Sequence, residues 1–323
     1  MTSDDVITLG MWQERAGLPS GFSLVVEAFA DGAVDIGNDM RRAPIDGLTG
    51  SIGTQNVQGE EVQTMDKRSN DGVKSRMQKT GVVHCYVSEE EDDPTFFGPG
   101  AWDVYIDPLD GSSGIDFGVP VGSILAVYEH KGQYNDPKAL LRPGREMFAA
   151  AYVLYGSCTT LVIAIVGHGV QGFTLDPASS TFILSHADIT YPDKVTYVSI
   201  NWPYQPKWET IFELVMKCCL FGIDELSGRY IGGLVPDFHR NLLAGGVFFY
   251  PGEKGKPEGK LRLLYEVGPI SFIATLAGGR GSNGSEDVLD LIPTSLHQRT
   301  PVIIGSEAVV IKFQAVTRIL QTF

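Results

Sequence analysis

The sequence predicts an α+β chain of two layered domains with a cleft between them, on three observations. The chain has 323 residues, about two domains at roughly 100–200 residues each. From residue 82 onward, short apolar runs punctuated by Gly and Pro predominate, which reads as a sheet whose strands do not alternate regularly with helices. After Ala187 the texture changes through Tyr191-Pro-Asp193, so the division falls between 1–187 and 188–323.

The elements follow in order. Leu24, Val25, Phe29 and Ile36 recur at helical spacing over 23–42, and Arg41-Arg42 suits the negative end of the helix dipole. Glu60, Glu61, Val62 and Asp66 read as the acidic face of a second helix. Strands are expected at 83–87, 104–106, 123–128, 150–154, 159–166, 172–175 and 182–184. The uncharged run 147–166 is long enough for a membrane span of about 20 residues. Its middle, Tyr155-Gly156-Ser157, is turn chemistry and its second half is β-branched, so two buried strands joined by a tight turn account for it. In the second block the pattern predicts helices over 208–219 and 270–277 and strands over 247–250 and 260–266.

Composition excludes several classes. Hydrophobic residues at 43% and charged residues at 20% fit neither disorder nor a fibrous repeat. With 25 basic and 39 acidic residues the formal charge is −14, which disfavours nucleic acid and anionic membranes as partners. An anionic substrate would need a local device such as a metal. Four cysteines without CxxC spacing read as reduced thiols. Met1-Thr-Ser-Asp-Asp5 carries no targeting pattern, so a cytoplasmic location is expected, or a plastid one if a leader has been removed.

The densest chemistry lies in Tyr105-Ile-Asp107-Pro-Leu-Asp110-Gly-Ser-Ser113, where an apolar strand delivers two carboxylates into a turn. Pro108 is expected to end the ladder, and Gly111 permits close backbone approach by a ligand. The amides of Gly111, Ser112 and Ser113 would face a phosphate, and paired carboxylates beside a phosphate suit Mg²⁺. The plain alternative is an Asx-turn capping a helix. Ser88-Glu89-Glu90-Glu91-Asp92-Asp93 would ordinarily be a solvated acidic face, yet it leaves a buried strand, and strand ends are where α/β sites collect ligands.

Asp107-Pro-Leu-Asp110-Gly-Ser-Ser113 with Ser88-Glu89-Glu90 resembles the lithium-sensitive, magnesium-dependent sugar and inositol phosphatases. Pro143-Gly-Arg145, Arg229-Tyr230 through Arg240, Tyr250-Pro251, Lys260 to Glu266 and Leu296-His-Gln-Arg299 resemble the class I fructose-1,6-bisphosphatase and sedoheptulose-1,7-bisphosphatase branch, over about residues 55–310. The resemblance implies an α-β-α-β-α layered sandwich and a sugar bisphosphatase that removes a 1-phosphate by direct attack of water. It implies two or three Mg²⁺ per site, or Mn²⁺ in their place, held by Glu60, Glu89, Glu90, Asp107, the Leu109 carbonyl, Asp110 and Glu266. Asp66 and Glu90 would orient and deprotonate the water, while Gly111, Ser112, Ser113 and Arg262 hold the 1-phosphate. Asn201, Tyr204, Tyr230, Tyr250 and Lys260 match the distal-phosphate pocket. Arg229 matches an arginine contributed by a neighbouring subunit, hence a homo-oligomer, dimer or tetramer.

The chain departs from that pattern in places. Ala101-Trp102 replaces a Lys-Tyr pair of the family's AMP site, so AMP control is not expected. Asn201-Trp202-Pro203-Tyr204 stiffens the sugar loop and is expected to set an indole beside the substrate, and Gly114 stands where the family usually has Asn. Gly232-Gly233-Leu-Val-Pro236-Asp resembles sedoheptulose-1,7-bisphosphatases more than many fructose enzymes, which tilts the substrate toward seven carbons. The alternatives are a fructose-1,6-bisphosphatase without AMP regulation, an inositol or nucleotide phosphatase, and a non-catalytic phosphosugar sensor.

Other signals are discounted. Gly279-Arg-Gly281-Ser-Asn-Gly284 fits GxGxxG but reads as a helix stop and turn. The six histidines show no HExxH or paired-ligand spacing, and a lone His such as His239 is read as structural. No GxSxG elbow surrounds Ser112 or Ser113.

Overall fold

The computed structural model describes residues 6–55, 61–132, 135–223 and 225–321. Helices α1 (Leu9–Arg15) and α2 (Ser20–Asp46) are followed by a small antiparallel pair, β1 (Ser51–Gln55) and β2 (Glu61–Gln63), and by α3 (Thr64–Lys79). Eight strands then form one sheet: β3 (Val83–Ser88), β4 (Thr95–Phe96), β5 (Trp102–Asp110), β6 (Val121–Glu129), β7 (Ala149–Tyr155), β8 (Thr159–Ile165), β9 (Gly169–Asp176) and β10 (Thr181–His186). Their order is β10-β9-β8-β7-β6-β5-β3-β4, antiparallel except for the parallel pair β3 and β5.

The second block contains β11 (Tyr197–Ser199), α4 (Thr210–Leu220), β12 (Ser227–Gly228), α5 (Leu234–Ala244), β13 (Gly246–Tyr250), α6 (Gly268–Leu276), β14 (Gly279–Ser282), β15 (Val302–Ser306) and α7 (Glu307–Leu320). Its five-stranded sheet runs β12-β11-β13-β15-β14.

Alternation along the strands explains the layering, because successive side chains leave opposite faces. On β5, Trp102, Val104 and Ile106 meet Phe22, Val25 and Phe29 of α2 and Val73 and Met77 of α3. Tyr105 on the opposite face joins Leu234, Val235 and Phe238 of α5 and Ile270 and Ile273 of α6. Those two helices also meet Phe248 of β13 and Ile304 of β15, so they form a middle layer between the sheets. Val247, Phe249 and Ile303 face outward onto Val215 and Met216 of α4 and Val310 and Phe313 of α7. The result is the α-β-α-β-α sandwich. A fully buried Phe238 or Tyr265 contributes about 1.5–3 kcal/mol by leaving water.

Some expectations are corrected. The uncharged run is two strands, β7 and β8, as read, and among the described residues no helix is long and apolar enough to cross a membrane. Residues 260–266 are not a strand: Arg262 makes one bridge to Arg299 and the chain then coils into a π-helical turn over Leu263–Val267. Helix α3 begins at Thr64, so Asp66 is helical while Val62 lies on a strand, and Glu60 falls outside the described residues. Gly279 to Ser282 is strand β14, not a turn: a Cβ on Gly281 would come 2.1 Å from Ser271 Oγ, so glycine there lets α6 lie against the strand. All four cysteines are free thiols.

Helix α5 is seated through a glycine as well. A Cβ on Gly122 of β6 would lie 2.4 Å from Val235 Cβ, in the first turn of α5. Gly122→Ala must therefore push α5 off the sheet, at a cost of about 1–3 kcal/mol. Urea unfolding should show that loss, and a variant as stable as the parent would mean α5 is not held this closely.

Candidate active site

Residues three apart on a regular strand point to opposite faces, so Asp107 and Asp110 meet only through a distortion. Asp107 stands opposite Ile124 and Asp110 opposite Gly122, three steps on β5 against two on β6. That extra residue is a β-bulge, and it turns both acids to one side. Pro108 was expected to end the ladder; the strand instead runs on to Asp110 and absorbs Pro108 in the bulge, where its carbonyl accepts from Ser123 Oγ at 2.7 Å. Leu109 N donates to Asp107 Oδ1 at 2.9 Å. Asp110 accepts from Val235 N at 2.8 Å and Leu234 N at 3.4 Å, the first amides of α5.

Glu89 follows β3, its amide donating to Ile106 O at 3.0 Å. Glu266 lies in the π-helical turn and accepts from Arg262 N at 2.6 Å. Asp107, Asp110 and Glu266 each present an oxygen within 4.8 Å of the other two. All three are buried, as is Glu89. Against these four carboxylates stands the Arg262 guanidinium, 2.6 Å from Glu89 Oε1 and 3.7 Å from Glu266 Oε2.

The electrostatics follow from that imbalance. Burial, then repulsion from Glu89, Glu266 and Asp110, holds the Asp107 carboxyl well above the ordinary range. Glu266 is raised likewise by burial and by Glu89, with Arg262 opposing. Asp110 is pushed up to about 6 by burial, the α5 amides pulling the other way. An all-oxygen cluster with surplus negative charge fits hard divalent cations, so the residues present match the metal dependence the resemblance implies.

Asp66 stands beside the cluster at the start of α3, where Oδ2 caps Gln63 N at 2.8 Å. One turn later Asn70 ties that helix to β3, accepting from Tyr86 Oη at 3.0 Å and Ser88 Oγ at 2.8 Å and donating to Glu91 at 2.9 Å. The acidic run thus serves as a brace: Glu91 also pairs with Lys74 at 2.6 Å.

These groups line one hollow of about 440 Å³. It brings together Asp66, Glu89, Glu90, Asp107, Leu109, Asp110, Gly111, Ser112, Ser113, Tyr230, Tyr250, Lys260, Arg262 and Glu266. Asn201, Tyr204 and Arg229 do not line it. Arg229 is exposed with Nη1 on Gly228 O at 2.8 Å, and Tyr204 lies under the Lys207 ammonium at 4.0 Å. Trp202 faces Trp208, its ring 5.9 Å away, rather than the hollow, which corrects the expectation of an indole beside the substrate. Gln63 and Phe248 line the hollow without having been singled out, and Gly232 and Leu261, noted only within stretches that resemble the family, line it too. Gln63 had a legible signal in the reciprocal cap it forms with Asp66, and Gly232 is held by Asp237, which accepts from Ile231 N and Gly232 N at 2.9 and 3.0 Å. His239 is structural as read, bonded to Tyr152 Oη at 2.7 Å and lowered to about 4 by burial.

Comparison with known proteins adds to this geometry. Residues 8–187 match the family described as "Fructose-1-6-bisphosphatase, N-terminal domain", and residues 191–318 match "Fructose-1-6-bisphosphatase, C-terminal domain". A class 1 fructose-1,6-bisphosphatase of Synechococcus is 46% identical over 268 residues, covering 81% of this chain and 80% of that one. The cytosolic fructose-1,6-bisphosphatase of Oryza sativa subsp. indica is 43% identical over 278 residues, covering 84% and 82%. The crystal structure of the Leishmania major fructose-1,6-bisphosphatase in holo form superposes with a TM-score of 0.92 at 36% identity, covering 97% of this chain and 99% of that one. These relatives carry the six-carbon name, so the tilt toward a seven-carbon substrate gains no support from them.

The raised carboxyls fix how stability depends on pH. With Asp110 at about 6 folded against 3.8 unfolded, the folded chain holds this proton more tightly. Metal-free protein therefore loses stability as pH rises from about 4 through about 6, as the cluster gives up protons that the folded chain holds more tightly. Divalent cations reverse the penalty, so Mg²⁺ should raise the Tm of EDTA-treated protein more at about pH 8 than at about pH 5. Thermal unfolding at the two pH values checks this, and an equal or smaller shift at the higher pH would contradict the cluster's electrostatics.

Proposed function

Because the chain belongs to the fructose-1,6-bisphosphatase family, we propose that it hydrolyses the 1-phosphate of fructose 1,6-bisphosphate with Mg²⁺ held by Glu89, Glu90, Asp107, the Leu109 carbonyl, Asp110 and Glu266. One observation carries the reading: a single hollow is lined by the buried carboxylates Asp107, Asp110 and Glu266 and also by Tyr230, Tyr250 and Lys260. Acids that suit divalent cations, sharing a hollow with hydroxyl and ammonium donors, suit a phosphorylated ligand. When bound, the cations lower the pKa of water and neutralise charge on the phosphoryl and leaving oxygens.

The chain's own groups do the rest. Asp66 and Glu90 orient the attacking water and accept its proton. Arg262 and the Gly111-Ser112-Ser113 segment hold the phosphoryl oxygens while the water oxygen bonds to phosphorus and the bond to the sugar oxygen breaks. The sugar oxygen leaves with a proton, giving fructose 6-phosphate and inorganic phosphate. Burial keeps the Tyr230 hydroxyl protonated, so it is a donor to the distal phosphate, together with Tyr250 and Lys260. Arg229, which is exposed and does not line this chain's hollow, is assigned here to a neighbouring copy's site, with a homo-oligomer as the working form. Asn201 and Tyr204 are assigned to the same distal edge, and the cytosolic relatives support a cytosolic location.

Gly233 no longer favours a seven-carbon sugar. A Cβ there would meet Pro236 Cγ at 3.0 Å, so the proline of α5 explains the glycine without reference to substrate size. Freedom from AMP control fits the aromatic filling around Trp102, whose ring stands 5.4 Å from Phe22 and 5.0 Å from Phe148.

The deciding measurement is phosphate release with Mg²⁺ from the six- and seven-carbon bisphosphates. The kcat/KM should favour fructose 1,6-bisphosphate, and Asp110→Asn should remove nearly all turnover. Preference for the seven-carbon substrate, or no release from either, would refute the assignment. Lys260→Ala should raise KM about tenfold, the loss of one charge-assisted contact, with a smaller effect on kcat. An unchanged KM would detach Lys260 from the distal phosphate.

A further inference from the structure

The six histidines show no ligand spacing along the chain, yet the fold brings two of them against a buried carboxylate. His84 and Asp103 are each 1% exposed, and His130 immediately follows β6. His130 Nδ1 lies 3.0 Å from Asp103 Oδ2 and 3.2 Å from Oδ1, and the two imidazole centroids are 3.9 Å apart. We propose that His84, Asp103 and His130 form a second metal site, for a borderline divalent cation such as Zn²⁺, away from the catalytic hollow.

Several independent features point to a ligand. Register shifts between Val83, opposite Trp102, and Cys85, opposite Asp103, so His84 is the extra residue of a bulge. A bulge re-aims a side chain, and here it puts the ring against His130 and Phe96. His84 Nδ1 is 2.6 Å from Gly98 O, and a carbonyl only accepts, so the neutral ring carries its proton on Nδ1 and directs the Nε2 lone pair elsewhere. That is the arrangement by which outer-shell carbonyls orient metal-binding imidazoles. Each of the three residues offers a ligand atom within 4.8 Å of the other two, whereas ligands of one tetrahedral zinc stand about 3.4 Å apart. Side-chain rotations of about an ångström close the set.

Charge and donor type select the ion. Burial raises the Asp103 carboxyl, with His130 as the largest opposing influence. The Arg142 guanidinium nearby is engaged by Glu146 at 2.9 Å and the Glu129 carbonyl at 2.7 Å and lies over the Tyr128 ring. A cation among the three side chains therefore balances the buried carboxylate. Two imidazoles and one carboxylate suit Zn²⁺, whereas the all-oxygen catalytic cluster suits Mg²⁺. The two clusters sit toward opposite ends of the same strands, with Asp103 and Asp107 roughly 13 Å apart along β5 at the usual rise per residue.

Because Zn²⁺ also binds carboxylates, the test separates the two clusters. Zinc per chain is measured after equilibrium dialysis for the wild type, His84→Gln with His130→Gln, and Asp110→Asn. The double substitution should lose one equivalent relative to the wild type. Co²⁺ in place of Zn²⁺ should give the intense visible absorption of a nitrogen-ligated tetrahedral ion, lost in the double variant and kept in Asp110→Asn. Unchanged stoichiometry in the double variant overturns the site. Should that variant not fold, the wild-type Co²⁺ spectrum with the single His130→Gln decides: no band in the wild type, or one that survives the substitution, overturns the site equally.

Discussion

Crowded, buried negative charge is the constraint on which the rest of this structure depends. Asp107, Asp110, Glu89 and Glu266 are held out of water beside the Arg262 guanidinium, and burial raises the Asp107, Asp110 and Glu266 carboxyls. What holds them is the surrounding framework: two strands that end side by side, a π-helical turn that brings Glu266 inward, and the amides at the start of α5 that fasten Asp110. A cation that binds the folded cluster and not the unfolded chain would stabilise the fold, so ligand affinity and folding free energy are linked at this point.

The middle layer makes the arrangement possible. Helices α5 and α6 belong to the second block in sequence yet face the first sheet as closely as their own. Gly122 admits Val235, and Val235 in turn donates its amide to Asp110. A steric contact and a hydrogen bond to the acidic cluster thus share one residue, and the hollow forms where the two sheets share a layer.

Periodicity and turn chemistry made much of this legible. Strands β5 to β10 and helix α2 followed from apolar runs broken by Gly and Pro, and the acids at the ends of β3 and β5 from their place after buried runs. Helix α5 was not marked as one, because Gly232-Gly233 stand just before Leu234 and Pro236 falls in its first turn, residues that punctuate rather than signal a helix. Residues 260–266 alternate like a strand, and the turn they adopt is imposed by tertiary contacts no local window contains. Tyr204, Asn201 and Arg229 matched a family pattern while lying off this chain's hollow, since sequence resemblance carries residue identities and not side-chain positions. His84 and His130 were passed over because a bulge and three adjacent strands, rather than chain spacing, bring them together.

The bulge at Pro108 has a consequence for how this segment tolerates mutation. Since one surplus residue turns Asp107 and Asp110 the same way, dropping Pro108 or Leu109, or adding a neighbour to them, rotates one acid by half a circle onto the apolar α2 side. Replacing Pro108 or Leu109 keeps the residue count and with it the shared orientation of the two acids, whereas changing the count abolishes the geometry at a stroke. Drift in this stretch is therefore held to one length, and at Asp107 and Asp110 to the side chain as well.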